Sequence, residues 1–271
     1  TNAKRESIAS HRGRLGMLEL HGVSQSFGGL KALSNFTLRV PEQRIVGLIG
    51  PNGAGKTTLI NIISGSNHPT SGSIIFDGKV LHRAAAHEIT RLGIARTYQN
   101  IRLFSEMTVL QNLIIAQHAR SHASVFDAVV FSSRFRREER ELHRSAQILL
   151  ERFGLEGVAQ TAAGNLPYGD QRRLEIARAL ATRPKLLLLD EPTAGMNPAE
   201  TRLLGEHILK LRDDGIAILV IEPDMSLIHQ VCDEVYVLNF GQIIAHGTPA
   251  EIKTDPDVIA AYLGRDDDAS A

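Results

Sequence analysis

One stretch of the sequence combines the residue types and the spacing that hold phosphate groups. Three glycines precede a lysine and two threonines in the run Gly50-Pro51-Asn52-Gly53-Ala54-Gly55-Lys56-Thr57-Thr58. Glycines let backbone N–H groups turn inward at a helix N-terminus, where the helix dipole favours an anion. Lys56 could then reach the outer phosphates of a nucleotide, and the Thr57 hydroxyl could hold Mg²⁺. We therefore predict that the whole run binds a nucleotide phosphate chain.

A strand and a helix must flank this loop if it is to work as a phosphate site. The run Arg44–Ile49 before it is apolar and typical of a strand, and the stretch Thr57–Ser64 after it is typical of a helix closed by Gly65. A glycine-rich loop with an unrelated lysine would need neither element. The flanking pattern therefore favours the phosphate site.

Two carboxylates follow the most apolar run of the chain. The residues Lys185–Leu189 predict a central parallel strand that is buried on both faces, and Asp190 and Glu191 stand at its carboxyl end, where α/β sheets bind ligands. We expect Asp190 to position Mg²⁺ and Glu191 to polarise an attacking water. Gln99 ends another predicted strand, Gly93–Asn100; it could offer an amide oxygen to the metal or the water, or it could be an ordinary surface residue.

A second glycine-bearing turn opens a helix further along the chain. The turn is Leu166-Pro167-Tyr168-Gly169-Asp170-Gln171, and the helix after it carries an apolar stripe and ends before Pro184. Tyr168, Gly169 and Asp170 therefore form a second predicted anion site by the same backbone argument. Two such sites in one chain are expected to serve opposite sides of one nucleotide in a dimer.

The remaining segments predict one antiparallel and one helical region. Alternating residues over 18–23 and 36–40 predict antiparallel strands around Phe27-Gly28-Gly29, where Phe27 could stack on a nucleotide base or simply pack under the sheet. Asp77-Gly78 predicts a hairpin. Residues 108–152 are expected to be helical, and opposite charges four residues apart around 134–141 predict a solvated helix face rather than a nucleic-acid patch.

Composition excludes several classes of protein. The 271 residues are 43% hydrophobic and 22% charged, and 30 basic residues balance 30 acidic ones, so the chain offers no electrostatic footprint for nucleic acid. Cys232 is the single cysteine, which rules out an intramolecular disulfide and favours a reducing compartment. No apolar run approaches the roughly 18 residues of a membrane span, so we expect a cytoplasmic protein that meets a membrane only through a partner.

With these motifs in place, the sequence resembles the ATP-binding subunits of ABC transporters over about residues 17–264. Gly50–Thr57 is similar to the family's Walker A motif, Gln99 to its Q-loop, Leu166–Gln171 to its signature motif, Leu186–Glu191 to its Walker B motif and Ala194–Asn197 to its D-loop. The resemblance implies an ATPase that uses ATP and Mg²⁺. Its expected fold is α/β: a P-loop, RecA-like core with an antiparallel β subdomain and a helical subdomain inserted at about 100–182. Residues 1–16 are expected to be a flexible extension, and 265–271 an acidic tail.

The closer resemblance is to LivG-type subunits of branched-chain amino acid importers. It rests on Phe27–Leu33, Ala95–Asn100, Tyr168–Ala177 and the long insertion between Gln117 and Arg144. It implies a second ABC ATPase subunit, either a LivF-type partner or another copy. It also implies two membrane permease subunits, an indirectly linked periplasmic binding protein and a place on the cytoplasmic face of the inner membrane. Leu103 and Phe104 could contact the permease or belong to the core.

Two prolines depart from the family pattern. Pro223 stands where the family has a histidine that contacts the γ-phosphate, and Pro167 stands where the signature usually has serine or another small residue. We expect Pro223 to weaken hydrolysis more than ATP binding, and Pro167 to weaken closure of the dimer. An alternative function is therefore a regulatory or assembly module that binds ATP without useful turnover. A soluble ABC protein of translation or DNA repair is disfavoured, because the chain has one cassette and no sustained heptads.

Overall fold

The larger of two β-sheets contains the strands that carry the predicted site. The computed structural model describes residues 17–81, 83–118, 133–223 and 225–263. This sheet has the order β10-β9-β3-β8-β7-β6, parallel except for the antiparallel pair β9 and β10. Its strands are β3 (Ile45–Ile49), β6 (Ile94–Arg96), β7 (Leu186–Asp190), β8 (Ala217–Ile221), β9 (Glu234–Asn239) and β10 (Gln242–Gly247). The predicted extension 1–16 and tail 265–271 lie outside the described residues.

The smaller sheet is antiparallel, as predicted. Its order is β2-β1-β4-β5, formed by β1 (Leu18–Phe27), β2 (Leu30–Val40), β4 (Ser71–Phe76) and β5 (Lys79–Val80). The first hairpin turns at Gly28-Gly29. The second turns at Asp77 and Gly78, whose φ angles of 49° and 71° are those of a two-residue primed turn.

Helices cover both faces of the larger sheet. They are α1 (Lys56–Ile63), α2 (Ala86–Leu92), α3 (Val109–His118), α4 (Ser133–Phe153), α5 (Tyr168–Ala181), α6 (Pro198–Asp213), α7 (Met225–Val231), α8 (Pro249–Thr254) and α9 (Pro256–Leu263). Helices α3, α4 and α5 all lie in the chain between β6 and β7. None of the helices within the described ranges is long and apolar enough to cross a membrane.

The larger sheet separates two hydrophobic cores. Every residue of β3, β7 and β8 is buried, and successive residues point to opposite faces. On one face, Leu187 and Leu189 pack with the helices α3 to α7. On the other face, Leu186 and Leu188 pack with the antiparallel sheet and α1. The predicted stripe of α5, which includes Leu174 and Ala177, is buried in the first of these cores.

One local prediction needs correction. The strand predicted over Gly93–Asn100 is only Ile94–Arg96, because the Tyr98 N–H donates to the Glu175 carboxylate at 3.2 Å instead of to a neighbouring strand. Helix α5 begins at Tyr168, so Pro167 is the residue before its first helical position, with φ −54° and ψ 151°. Its side chain can make no capping hydrogen bond there.

Candidate nucleotide site

The glycine-rich loop is closely packed and holds its lysine inside. Gly50 has φ 151°, and a Cβ built on it would lie 2.0 Å from the Leu238 carbonyl oxygen, so a larger residue cannot occupy this position. Helix α1 begins at Lys56 after Gly55, whose φ is 112°. The Lys56 Nζ donates to the carbonyl oxygens of Gly50 at 2.5 Å and Pro51 at 3.0 Å, and the residue is only 6% exposed. The loop therefore presents a buried cation beside a helix N-terminus.

Asp190 forms an ion pair with Arg96, which was not among the predicted site residues. The Arg96 guanidinium forms an ion pair with the Asp190 carboxylate at 2.9 Å, and both side chains are less than a tenth exposed. Arg96 also donates to the Asn61 Oδ1 at 2.7 Å and the Ser64 Oγ at 3.0 Å, near the end of α1. One guanidinium thus joins the end of β7 to the helix that follows the phosphate loop.

Glu191 and Gln99 are in direct contact. The Gln99 Nε2 donates to the Glu191 Oε2 at 2.8 Å. Glu191 has φ 48°, in the left-handed region that non-glycine residues rarely occupy, and its N–H donates to the Ile221 carbonyl oxygen at 2.8 Å. Backbone strain of this kind is found where a surrounding structure fixes a functional residue. Gln99 is therefore not an isolated surface residue.

A buried ion pair on α5 holds the backbone around Gln99. The side chains of Arg172 and Glu175 are 1% and 2% exposed, and the Arg172 Nη1 lies 2.9 Å from the Glu175 Oε2. Arg172 donates to the carbonyl oxygens of Tyr98, at 2.7 Å, and of Gln99. Glu175 accepts from the N–H of Tyr98 and of Arg102 at 3.2 and 3.4 Å. Burial raises the pKa of Glu175, although these donors act in the opposite direction.

Most of the predicted site residues share one cavity of about 450 Å³. Its lining includes the predicted residues Phe27, Asn52, Gly53, Gly55, Lys56, Thr57, Thr58, Gln99 and Glu191. Phe27 is 47% exposed and therefore does not pack under the sheet. Gly50, Pro51 and Ala54 are buried in the same loop, and Asp190 lies beside Glu191 at the strand end.

The second predicted anion turn does not reach this cavity within one chain. Gly169 and Asp170 line a separate, smaller cavity with Met196 and other residues. Tyr168 packs on the turn before α6, since a Cβ built on Gly195 would lie 3.1 Å from the Tyr168 ring. Asp170 forms an ion pair with Arg173. The turn and the phosphate loop therefore line different cavities of this chain.

Pro223 lies at an exposed position after a buried carboxylate. Glu222 is 1% exposed and accepts hydrogen bonds from the Thr193 N–H at 2.9 Å and the Thr193 hydroxyl at 2.8 Å. Thr193 follows Glu191 by two residues. Glu222 thus fixes the segment after Glu191, while Pro223 offers neither a ring donor nor a backbone N–H.

The residues of the cavity fit a nucleoside triphosphate and a divalent cation. A Cβ on Gly50 would collide with the Leu238 carbonyl oxygen and one on Gly55 with the Ala32 carbonyl oxygen, so the loop carries no side chain at these two positions and its backbone can approach phosphates. Thr57, Gln99 and Asp190 supply the hydroxyl, amide and carboxylate oxygens that Mg²⁺ prefers. Sequence reasoning missed Arg96, Arg172 and Phe240, which also lines the cavity. Arg172 could have been found from the sequence, because it is a charged residue that stands close to the apolar residues of α5.

Comparison with known proteins agrees with this geometry. The family profile described as "ABC transporter" matches residues 33–194, and one described as "Branched-chain amino acid ATP-binding cassette transporter" matches residues 242–268. The chain is 47% identical to the high-affinity branched-chain amino acid transport ATP-binding protein LivG of Escherichia coli K12, over 92% of this chain and 98% of that protein.

Solved structures show the same fold. One, described as the ADP conformation of an ATP-binding cassette of an ABC transporter, has a TM-score of 0.81 and 33% identity over 92% of this chain and 99% of its own. Another, a dimeric post-hydrolysis cassette bound to ADP and Pi, has a TM-score of 0.73 and 25% identity over 86% of this chain and 99% of its own. The predicted P-loop fold is thereby confirmed, and the chain belongs to the ABC transporter family, as one of its ATP-hydrolysing cassettes.

Proposed function

We propose that this chain is the ATPase subunit of an importer that takes up branched-chain or related amino acids. The observation that carries the proposal is the single cavity that brings Lys56, Gln99 and Glu191 together at the end of β7. The likeness to LivG over almost the whole of both chains supports the solute class. Nothing in these comparisons favours the alternative of a regulatory module without turnover.

In this proposal the predicted site residues bind the phosphates, the metal ion, the attacking water and the base. The N–H groups of Gly53–Thr58 and the Lys56 ammonium hold the phosphate chain of ATP. Thr57, Asp190 and Gln99 hold Mg²⁺, which when bound neutralises charge on the phosphates. Glu191 orients and polarises the attacking water, and the Gln99 amide keeps its carboxylate in place. Phe27 contacts the base.

The chain acts with a second cassette. Its own Tyr168, Gly169 and Asp170 lie away from its own cavity, so we infer that they close over the nucleotide of the partner. The similarity to a cassette described as dimeric supports the pairing with a second cassette. The partner is a LivF-type subunit or another copy of this chain.

The helices inserted between β6 and β7 are proposed to face the permease subunits. A cleft of about 260 Å³ is lined by Arg96, Tyr98, Glu175 and Arg178 together with residues of α2 and α3. Phe104 lies beside it, 48% exposed, with the Arg178 guanidinium 5.6 Å from its ring centre, whereas Leu103 packs on the core. A permease segment in this cleft would contact the strand end that leads to Gln99. It would hold the cassette at the cytoplasmic face of the membrane.

The test has one part for the chemistry and one for the solute. For the chemistry, steady-state Mg-ATP hydrolysis is measured with the purified chain and with Glu191→Gln, and we expect turnover only in the unaltered chain. For the solute, the chain replaces LivG in Escherichia coli cells that lack it, and uptake of labelled leucine is measured. Uptake that needs Glu191 supports the proposal. The proposal is contradicted if the chain hydrolyses ATP but restores uptake of a different solute only. It is also contradicted if leucine uptake does not depend on ATP.

A further inference from the structure

An exposed phenylalanine at the rim of the nucleotide cavity has no role in the proposal so far. Phe240 lies in the turn between β9 and β10 and is 86% exposed. Its φ is 45°, in the left-handed region that is unfavourable for a bulky residue. An apolar ring in water on a strained backbone has no evident structural benefit.

The backbone of this turn is fixed on both sides. The Gly241 N–H donates to the Ala54 carbonyl oxygen in the phosphate loop at 2.9 Å, and the Gly241 carbonyl oxygen accepts from the Ser34 N–H in β2 at 2.8 Å. A Cβ on Gly241, whose φ is 77°, would lie 2.7 Å from the Ala32 carbonyl oxygen. Phe240 therefore stands on a backbone that is tied to the phosphate loop and to the antiparallel sheet.

The ring lines the same cavity as Phe27 and Leu30, which flank the first hairpin turn. The turn that carries Phe240 is bound to the strand after this hairpin turn, because the Gly241 carbonyl oxygen accepts from the Ser34 N–H. The side chains that the hairpin and Phe240 bring to the cavity are mainly apolar, with Lys31 as the charged one. We place the base of a nucleotide whose phosphates lie on Gly53–Thr58 against these apolar side chains.

We propose that Phe240 is a second aromatic contact for the base of the bound nucleotide, with Phe27 as the first. Because neither ring carries a hydrogen-bonding group, the base is bound by stacking and apolar contact. The inference rests on the proposed use of this cavity for ATP. It also accounts for an exposed phenylalanine being kept on a strained backbone.

The test compares ATP with inorganic tripolyphosphate, which has the phosphates but no base. Titration calorimetry measures both ligands on the chain carrying Glu191→Gln, so that ATP is not consumed. Stacking on one base is typically worth about 5- to 100-fold in affinity. We therefore expect Phe240→Ala to weaken ATP binding about 5- to 20-fold and tripolyphosphate binding less than twofold. Phe240→Tyr should keep ATP affinity within about twofold, because it keeps the ring.

Two further variants separate the base contact from a folding defect. Phe240→Asn removes the ring but suits the left-handed backbone, so it should lose ATP affinity like the alanine variant while its melting temperature is unchanged or higher. Val80→Ala removes an apolar side chain that is 61% exposed on β5, away from the cavity, and should change neither affinity.

The proposal is overturned if Phe240→Ala leaves ATP affinity unchanged, or if it weakens ATP and tripolyphosphate equally. A change only in how strongly the chain associates with a second cassette would also overturn it and would assign Phe240 to a protein interface. If the chain with Phe240 intact binds neither ligand, the proposed nucleotide function fails instead.

Discussion

The amide of Gln99 donates a hydrogen bond of 2.8 Å to the carboxylate of Glu191. Glu191 directly follows β7, whereas Gln99 lies three residues after the end of β6, and the backbone of each residue is held by a further hydrogen bond. The Gln99 carbonyl oxygen accepts from buried Arg172 on α5, and the Glu191 N–H donates to the end of β8. A movement of α5 would therefore change the position of Glu191 through a single intervening residue.

Removing the Gln99 amide should slow hydrolysis without preventing binding. Gln99→Ala frees the Glu191 carboxylate, and a small misplacement of a reacting group can cost up to about 100-fold in rate. We expect turnover to fall about 10- to 100-fold while the ATP dissociation constant changes less than threefold. Gln99→Glu, which replaces the donor by a second carboxylate, should lose at least as much. Full turnover in Gln99→Ala would show that the contact has no catalytic role.

Restoring an imidazole at position 223 should raise turnover. Pro223 is exposed beside the segment that Glu222 fixes, and it cannot donate to a phosphate. Interactions of this kind commonly change rates on the order of 10²- to 10³-fold. Steady-state ATPase assays should show this gain in Pro223→His, with little change in ATP affinity. Introducing Glu191→Gln into both backgrounds should abolish the difference, and equal rates for the chain and Pro223→His would disprove the expectation.

Loss of Arg96 should destabilise the chain in a way that Mg-ATP partly reverses. Arg96→Met leaves the buried Asp190 carboxylate without its cation, and breaking a buried pair typically costs about 3–5 kcal/mol. A bound Mg²⁺ would supply a new positive partner. Thermal unfolding should show a lower midpoint for the variant and a larger upward shift on adding Mg-ATP than the unaltered chain shows. An equal shift in both chains would argue against Asp190 as a metal-site residue.

A serine at position 167 should stabilise α5. Pro167 is the N-cap residue but makes no side-chain cap. A serine cap is typically worth about 0.5–2 kcal/mol relative to a residue that cannot cap. Pro167→Ser should therefore raise the midpoint of denaturant unfolding, whereas Pro167→Ala should not. We also expect the serine variant to form the ATP-bound dimer more readily, which size-exclusion chromatography of the Glu191→Gln background can measure.

His207 lies where α6 packs on α4, and its protonation should make the free energy of unfolding depend on pH. Its ring stacks on Phe153 at 5.1 Å. Burial and the nearby positive charges of Lys210, Arg173 and Arg152 lower the pKa of His207, and Glu206 opposes this shift. The unfolded chain therefore binds the proton more tightly, so the His207 contribution is complete above about pH 6.5 and decreases as the pH falls below it.

The measurement is the melting temperature of the unaltered chain and of His207→Gln between pH 5 and pH 8. The unaltered chain should lose more stability than the variant on acidification from about pH 6.5. Parallel curves for the two proteins would show that protonation of this ring does not couple to folding.

Local patterns predicted the elements of the site because each is encoded by neighbouring residues. The glycine-rich loop, the apolar run of β7 and the stripe of α5 are examples, and all three are where the sequence suggested. The length of β6 was predicted wrongly, since the Tyr98 N–H finds its acceptor on Glu175, which lies 77 residues away. The choice of Glu175 over a neighbouring strand as the acceptor depends on tertiary packing, so the residues around Tyr98 do not reveal it.

The residues that support the site could not be found from spacing. Arg96 pairs with Asp190 across 94 positions, and its own neighbours in the chain resemble an ordinary strand end. Phe240 reaches the cavity because its turn docks on Ala54 and Ser34, which lie about two hundred positions earlier in the chain. In both cases the sheet order brings together segments that the sequence keeps apart.

The hydrogen bonds of Lys56 to its own loop determine whether the cost of dehydrating its ammonium group falls on folding or on nucleotide binding. Because Gly50 and Pro51 carbonyl oxygens already surround the ammonium, most of its water is removed when the chain folds and not when ATP arrives. The penalty for dehydrating this cation therefore belongs to the stability of the protein. The loop also meets its ligand in a formed shape, so capture of the phosphates needs an exchange of hydrogen-bond partners and no ordering of the backbone.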